Sequence, residues 1–316
     1  MNALLQFDGL ERAVLPPKPL HLAIGMFDGI HLGHQSVIEA AVRSARRSDG
    51  LAGVLTFWPH PSALFRPENP TALLMPPATK RQVLHQLGLD FLIEQNFSRE
   101  FAAIEAPAFV PHLRRTLPGL SAIYVGENWR FGRGRSGDVP LLLAEAGKAG
   151  LAVFSAPRLN HNGSPISSSR IRELLAAGGI ADANRLLGYS YFSEGVVESG
   201  RQLGRTIGFP TLNLAWQPEL KPRFGVYVVE VSAAGRTGLQ GVANYGLRPT
   251  VGVDHRPLLE VHLLEKTALT YGDKLSVKWL HFLRPESKFG GLEELRAQLA
   301  TDCANARQYF GNQARG

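Results

Sequence analysis

The sequence predicts an α/β domain with a parallel sheet, followed by an antiparallel β-barrel with a terminal helix. From Leu20 to about Pro157, short apolar runs alternate with helical patterns; beyond Tyr189, closely spaced strand patterns alternate with Gly/Pro turns. The first pattern favours a parallel sheet covered by helices, and the second is typical of an antiparallel barrel. A chain of 316 residues also suits two domains. We expect them at 1–187 and 188–316.

The strands and helices of the first half are predicted from the periodicity and the length of its apolar runs. The expected strands are Leu20–Gly25, Leu51–Phe57, Asp90–Glu94, Ser121–Gly126 and Leu151–Ser155. The expected helices are Gln35–Arg47, Thr79–Leu87, Ala108–Leu117 and Val139–Ala149. Ligands of such sheets bind beyond the carboxyl ends of the strands, so the loops there are the place to look for a site.

The second half is predicted to be mainly strand. The expected strands are Phe192–Glu198, Gly225–Ser232, Gln240–Asn244, Leu258–Leu264 and Leu275–Leu283, before a helix from about Gly291 to Phe310. That helix carries an apolar stripe including Cys303, which therefore reads as a core residue.

Composition narrows the classes of function. The net charge is +7, but the cations are dispersed through loops rather than gathered in runs. This pattern favours small phosphate-bearing ligands over nucleic acid. The single cysteine excludes an internal disulfide. With no apolar run near the ~20 residues of a membrane span and no recognisable signal peptide, we expect a cytoplasmic protein without a membrane partner.

A glycine-rich turn after the first expected strand is the leading candidate site. Its sequence FDGIHLGH contains Gly29 and Gly33, which free the backbone, and places His31 and His34 at a helix N-terminus. Unpaired N–H groups and the positive end of the helix dipole suit a phosphate there. The alternative is a pair of turn histidines that cap the helix.

Polar loops follow other strands of the same sheet. His60 follows the second strand, Asn128 the fourth, and the segment ISSSRIR the fifth. In ISSSRIR, hydroxyls and arginines precede an apolar helical run, which suits a second phosphate contact, or simply an N-cap on a solvent-facing helix.

These motifs together resemble a known module. GxFDGxHxGH, FxPHP, GENxRFGxGRxGD and ISSSRIR are similar to the N-terminal module of prokaryotic bifunctional riboflavin kinase/FAD synthetases, within the HxGH nucleotidyltransferase superfamily. The resemblance implies a Rossmann-like domain that transfers AMP from ATP to FMN, giving FAD and pyrophosphate. It implies that His31 and His34 hold ATP phosphates and that His60 lies beside the flavin. The further ATP-site residues it implies are Asp28, Gly29, Gly33, Asn128, Ser168, Ser169 and Arg172.

The second half contains a loop suited to magnesium and phosphate. Thr211 and Asn213 are two apart on an extended segment, so both oxygens face one side and suit Mg²⁺. Glu260 lies on an alternating strand, where a carboxylate can deprotonate an attacking alcohol. The alternatives are a plain glycine-rich hairpin and a solvent-facing acid.

This half resembles the riboflavin kinase module of the same family, from about Tyr189 to Phe310. The carrying motifs are GRxxGFPTxNL, FGVYVVEV, GVANYGLRPTVG, LLEVHLL, TYGDKLSV and LRPESKF. The resemblance implies that Thr211 and Asn213 bind Mg²⁺–ATP and that Glu260 is the catalytic base. It implies a flap at Gly204 and Arg205, and an approach of Arg284 to the flavin.

We therefore expect FMN to be made from riboflavin and ATP, and then adenylylated to FAD, without nucleic acid as a partner. The oligomeric state is open. The alternatives are a chain with only one working activity and a nucleic-acid-binding regulator that senses flavin.

Overall fold

A computed structural model describes residues 4–200, 204, 207–233, 235–247 and 257–313. Packing divides the chain into two compact units, Met1–Ser168 and Ser169–Gly316. Among the described residues, no helix combines the length and the apolar character that a membrane crossing requires.

The first unit is organised around a parallel sheet. Its strands are β1 (Leu5–Phe7), β2 (Leu20–Ile24), β3 (Leu51–Trp58), β4 (Phe91–Asn96), β5 (Leu120–Gly126) and β6 (Ala152–Ala156). They run in the order β1-β4-β3-β2-β5-β6, and every ladder among them is parallel. The expected parallel sheet is confirmed, with small shifts at the strand ends. The short edge strand β1 was not expected.

Helices connect and cover these strands. They are α1 (Leu32–Arg47), α2 (Pro61–Phe65), α3 (Pro77–Gln86), α4 (Arg99–Ala102), α5 (Ala106–Thr116) and α6 (Val139–Lys148). A two-stranded antiparallel ladder, β7 (Asn160–His161) with β8 (Ser164–Pro165), follows β6. Helix α1 begins at Leu32 rather than the expected Gln35, so His34 lies within its first turn.

The centre of this sheet is buried. Strand β2 is buried along its whole length, which requires cover on both faces. Leu22 of β2 shares a core with Leu113 of α5 and Leu142 of α6. Strand order reverses between β2 and its neighbour β5, and a crevice at such a reversal is where ligands bind in sheets of this kind.

The second unit is a closed barrel with helices before and after it. Helices α7 (Ser168–Ala177), which spans the division, and α8 (Ile180–Leu187) precede it. The strands are β9 (Phe192–Glu198), β10 (Leu212–Leu214), β11 (Gly225–Ala233), β12 (Arg236–Leu247), β13 (Pro257–Leu263) and β14 (Lys274–Arg284), and α9 (Leu292–Gln313) ends the fold. Among the described residues the barrel order is β10-β13-β12-β11-β14-β9, with antiparallel ladders. The expected antiparallel barrel with a terminal helix is confirmed.

Aromatic side chains fill the barrel interior. Trp279 and Tyr227 are fully buried, with ring centroids 4.6 Å apart, and Tyr245 lies 5.6 Å from Trp279. Trp279 Nε1 donates to Ser193 Oγ at 3.0 Å, so the buried indole N–H has a hydrogen-bond acceptor inside the barrel. Because strand residues alternate between faces, the neighbours of these aromatics point outward, toward α9. Cys303 on α9 is buried in that outer layer beside Val226 and Val242, as expected.

The division by packing falls earlier than the expected boundary at 187/188. Leu175 O accepts a hydrogen bond from Arg223 N at 2.9 Å, and Asn184 Nδ2 donates to Trp279 O at 2.8 Å. Both helices before the barrel therefore hydrogen-bond to residues of the second unit. The boundary between the two catalytic domains stays a prediction.

Candidate active sites

The turn between β2 and α1 is held in an unusual backbone conformation. Phe27 and Ile30 have positive φ angles of 49° and 36°, and both side chains are buried. Gly29 between them has φ 78°. A non-glycine residue in this region costs on the order of 1–3 kcal/mol and persists only where its surroundings impose it. Strain of this kind is concentrated at binding sites.

Asp28 anchors this turn. Both oxygens of its carboxylate accept the Leu74 N–H, at 3.0 and 3.2 Å, and its backbone oxygen accepts Ser168 Oγ–H at 2.8 Å. A Cβ on Gly29 would lie 2.5 Å from Leu74 Cδ1, so this position needs glycine for space as well as for its φ angle. These contacts give Asp28 and Ser168 a structural task beside the phosphate contact expected of them.

The two histidines lie together at the start of α1. Their rings stack with centroids 3.6 Å apart, and His31 is the N-cap of the helix. The Nδ1 atom of His31 accepts the His34 backbone N–H at 3.3 Å, so the proton of the neutral ring is on Nε2. Burial lowers the pKa of His31 to about 4. Burial, then His31, then the Lys80 ammonium hold the pKa of His34 well below its ordinary value. Both rings are thus neutral near pH 7, and each has an N–H group that it can donate.

Lys80 was not singled out from the sequence. Its side chain is buried beneath the turn, and Nζ donates to Thr56 Oγ1 at 3.1 Å. Desolvation lowers its pKa, while the carboxylates of Glu94 and Asp28 oppose that shift. Lys80 is on α3, far along the chain from the turn between β2 and α1. No local motif in the sequence therefore reveals that it lies beside the turn.

An aromatic cavity of about 550 Å³ lies next to the turn and beyond the ends of β3 and β5. His60 and Asn128, both expected in the site, lie on its wall. Nδ1 of His60 accepts the Ser62 N–H at 3.1 Å, which fixes the ring at the start of α2. Trp129 lies on the same wall. The phenylalanines of the wall were not singled out in the sequence, where they resemble core residues; they are Phe57, Phe65, Phe97, Phe101, Phe109 and Phe131.

Ser168 begins α7, and Ser169 and Arg172 lie on the same helix. The division of the chain assigns Ser169 and Arg172 to the second unit. Their expected approach to the ATP phosphates stays a prediction.

A second cavity, of about 340 Å³, lies on the outer face of the barrel and is covered by α9. Thr211, Asn213 and Glu260 all line it, as the sequence predicts. The expected alternation of β13 is confirmed, because Leu259, Val261 and Leu263 are buried inward while Glu260 and His262 face the other way.

Cross-strand register explains how these side chains meet. Asn213 of β10 lies directly opposite Glu260 of β13, and Glu260 lies directly opposite Asn244 of β12. Directly opposed residues in a ladder share a face of the sheet. The acid is therefore flanked by an amide on each side. No role for Asn244 follows from the sequence, because only the pairing of β12 with β13 brings it beside Glu260.

Asn213 has the properties of a metal ligand. It is 5 % exposed, and among the described residues its Oδ1 has no hydrogen-bond partner. A Cβ on Gly200 would lie 2.1 Å from Asn213 Nδ2, so glycine there lets the backbone approach the amide. A buried amide oxygen beside the Thr211 hydroxyl is the hard donor set that suits Mg²⁺.

His262 adds a contact at the end of the β10–β13 ladder, which stops at Leu212 opposite Val261. Pro210 lies two residues before Leu212 and has no N–H with which to extend the ladder. His262 Nδ1 donates to Pro210 O at 2.8 Å instead, and so holds the peptide before Thr211.

The other expected residues of this site have mixed outcomes. Gly204 lines the cavity, whereas Arg205 lies outside the described residues. Arg284 also lines the cavity, but its guanidinium binds Asp302 of α9, with Nε–Oδ1 2.9 Å and Nη2–Oδ2 2.8 Å. That ion pair ties α9 to the end of β14, and the flavin contact of Arg284 stays a prediction.

The fold defines a two-part protein, with one cavity on a parallel-sheet unit and another on a barrel unit. A family model for FAD synthetase matches residues 16–170, and one for riboflavin kinase matches residues 187–310. The chain belongs to the family of bifunctional riboflavin kinase/FMN adenylyltransferases.

Individual relatives agree with this placement. The bifunctional riboflavin kinase/FMN adenylyltransferase of Escherichia coli K12 is 39% identical over 298 residues, covering 94% of each chain. That of Listeria monocytogenes is 35% identical over 292 residues, covering 92% of each. A solved structure described as a macrolide-efflux protein from Streptococcus pneumoniae has a TM-score of 0.85, with 28% identity, and covers 96% of this chain and 98% of that one.

Proposed function

We propose which residues perform each of the two reactions of this chain. The chain phosphorylates riboflavin with ATP to FMN and transfers AMP from a second ATP to FMN, giving FAD and pyrophosphate. We assign FMN adenylylation to residues 1–187 and riboflavin phosphorylation to residues 188–316. The observation that carries the assignment is the row Asn213–Glu260–Asn244 in one cavity and the stacked histidines beside a separate aromatic cavity.

In the adenylylation reaction, an oxygen of the FMN phosphate attacks the α-phosphorus of ATP, and pyrophosphate leaves. The FMN phosphate is already ionised near neutral pH, so the site needs positioning and charge stabilisation rather than a strong base. His31 and His34 supply N–H donors, and the first turn of α1 supplies backbone N–H groups. The remaining ATP contacts are Asn128, Ser168, Ser169 and Arg172. The aromatic cavity, with His60 on its wall, is sized and lined for the isoalloxazine ring.

In the kinase reaction, the terminal ribityl oxygen of riboflavin attacks the γ-phosphorus of ATP, and ADP leaves. Glu260 accepts the proton of that hydroxyl. Thr211 and Asn213 would hold Mg²⁺, which would neutralise phosphate charge. The orphaned Oδ1 of Asn213 supports this role. Gly204 and Arg205 form the flap, and Arg284 borders the flavin side.

The chain is proposed to work in the cytoplasm on riboflavin, FMN and ATP, without nucleic acid or a membrane as partner. The dispersed loop arginines support this proposal.

Incubation of the pure protein with riboflavin, ATP and Mg²⁺, followed by separation of the flavins, tests the function. We expect FMN and then FAD. Glu260→Gln should stop FMN formation and leave FAD formation from supplied FMN intact, while the double change His31→Asn, His34→Asn should do the reverse.

Two other outcomes would overturn the assignment. FMN without FAD from the wild-type protein would mean that one module is inactive. Binding to DNA with a steep salt dependence and no ATP turnover would instead indicate a regulator.

A further inference from the structure

Asn244 belongs to the GVANYGLRPTVG motif and lines the kinase cavity, but neither the motif nor the catalytic assignment gives it a role. It lies on β12 and lines the same cavity as Glu260 and Asn213. The register places it directly opposite Glu260, on the side away from Asn213. Its amide makes no hydrogen bond within the described part of the chain, so its donors and acceptor are available to a ligand.

We propose that Asn244 binds the ribityl chain of riboflavin and places its terminal hydroxyl at Glu260; this inference rests on the proposed kinase function.

The order of side chains along the cavity indicates from which side of Glu260 each of the two substrates approaches. Asn213 and Thr211, the proposed Mg²⁺–ATP ligands, lie on one side of Glu260, so ATP approaches from there. The attacking alcohol must reach Glu260 from the other side to face the γ-phosphate in line. Asn244 is the first side chain on that side.

The chemistry of the amide matches a sugar alcohol. Each hydroxyl of a ribityl chain both donates and accepts, and an asparagine amide offers an acceptor oxygen and two N–H donors in one plane. Val226 of β11 lies directly opposite Asn244, on the side away from Glu260, and Val242 and Leu299 add further apolar wall to the cavity, which suits a flat flavin ring. The polar tail and the apolar ring of riboflavin thus meet matching surfaces in the right order.

Kinase kinetics with a truncated flavin test the contact. Lumiflavin has the isoalloxazine ring but no ribityl chain, and its inhibition of FMN formation reports only on the kinase cavity. For Asn244→Ala we expect the KM for riboflavin to rise about tenfold, the loss of one or two neutral hydrogen bonds. The inhibition constant of lumiflavin and the KM for ATP should stay within about twofold.

Conservative and control variants separate binding from folding. Asn244→Ser keeps a group that donates and accepts, and should recover part of the riboflavin KM. Gln240→Ala changes an exposed amide on the same strand, outside the cavity, and should leave every constant unchanged.

The outcomes distinguish this inference from the proposed function. If the wild-type protein makes FMN but Asn244→Ala leaves the riboflavin KM unchanged, or raises the lumiflavin constant or the ATP KM in parallel, the role of Asn244 is wrong. If the wild-type protein makes no FMN, the proposed kinase function fails and the inference fails with it.

Discussion

Asn213 carries a buried oxygen that the described residues leave without a hydrogen bond. A buried acceptor without a partner costs about 1–3 kcal/mol of stability. Such a cost is typical of a position kept for a ligand rather than for the fold, since active sites give up stability for function. With its proposed role in metal binding, this amide would connect kinase activity and barrel stability at one side chain.

We expect Asn213→Leu to raise the stability of the barrel unit and to lower the kinase activity. Without ligands, the barrel unit should gain about 1 kcal/mol in free energy of unfolding, because an apolar side chain of similar size removes the unsatisfied oxygen. Riboflavin phosphorylation should fall at least about a hundredfold, with FAD formation from FMN unchanged. Chemical denaturation and flavin separation measure the two effects. A variant that loses stability and keeps its kinase activity would contradict the metal role of this residue.

His31 gives the first unit a dependence of stability on pH. Its pKa is lowered to about 4 by burial, from an ordinary value of 6.5. Between these values the unfolded chain binds a proton that the folded one does not, so stability rises with pH through this window. Above pH 6.5 the His31 ring is neutral in both states and does not reduce the free energy of unfolding. As the pH falls from 6.5 toward 4, the free energy of unfolding decreases by about 3 kcal/mol.

Thermal unfolding between pH 7 and pH 4 tests this effect. The midpoint of the first unit should fall on acidification, and His31→Gln should flatten that fall, because the titrating ring is gone. Equal slopes in the wild type and the variant would mean that His31 is not neutral in the folded protein.

At the scale of elements, α9 forms one wall of the kinase cavity through Leu295 and Leu299, and a buried ion pair holds it there. Asp302 is 1 % exposed and binds Arg284, while Gln298 Nε2 also donates to Asp302 Oδ1 at 3.0 Å. Loss of one partner leaves a charge buried without its counter-ion, which costs more than the pair contributes.

Asp302→Asn should therefore destabilise the barrel unit by about 3 kcal/mol. We expect the riboflavin KM to rise as well, because α9 no longer holds its side of the cavity. The measurements are denaturant unfolding and kinase kinetics, with FAD formation from FMN as the internal control. Exposed ion pairs supply the comparison: Lys278→Ala, which removes the pair with Glu230, should change stability by less than about 1 kcal/mol.

At the scale of the whole molecule, local patterns predicted the layers of each unit but not every part of the sites. Alternation along β13 and helical periodicity along α1 follow from neighbouring residues, so those elements could be predicted. The short strand β1 could not, since three residues carry no period. For β10 the sequence predicted only an extended segment around Thr211 and Asn213, and not its pairing with β13. His31, Asn213 and Glu260 belong to local motifs with recognisable chemistry. Asn244 enters its site through the pairing of β12 with β13, and Lys80 enters its site from α3.

Two sites on one chain also raise the question of how FMN passes between them. The structure gives each unit its own cavity, and we propose separate phosphate-binding groups for each, so we expect the intermediate to be released and rebound. A mixture of two one-activity variants tests this. Glu260→Gln cannot make FMN, and the double change His31→Asn, His34→Asn cannot use it.

Supplied with riboflavin, ATP and Mg²⁺, neither variant alone should form FAD. Their equal mixture should form it after a lag, because FMN must first accumulate in solution, and the lag should shorten as the protein concentration rises. A trap for free FMN, such as an excess of an FMN-binding apoprotein, should suppress FAD in the mixture. If each variant keeps its remaining activity but the mixture makes no FAD, FMN does not leave the chain that produced it, and the two cavities do not operate independently.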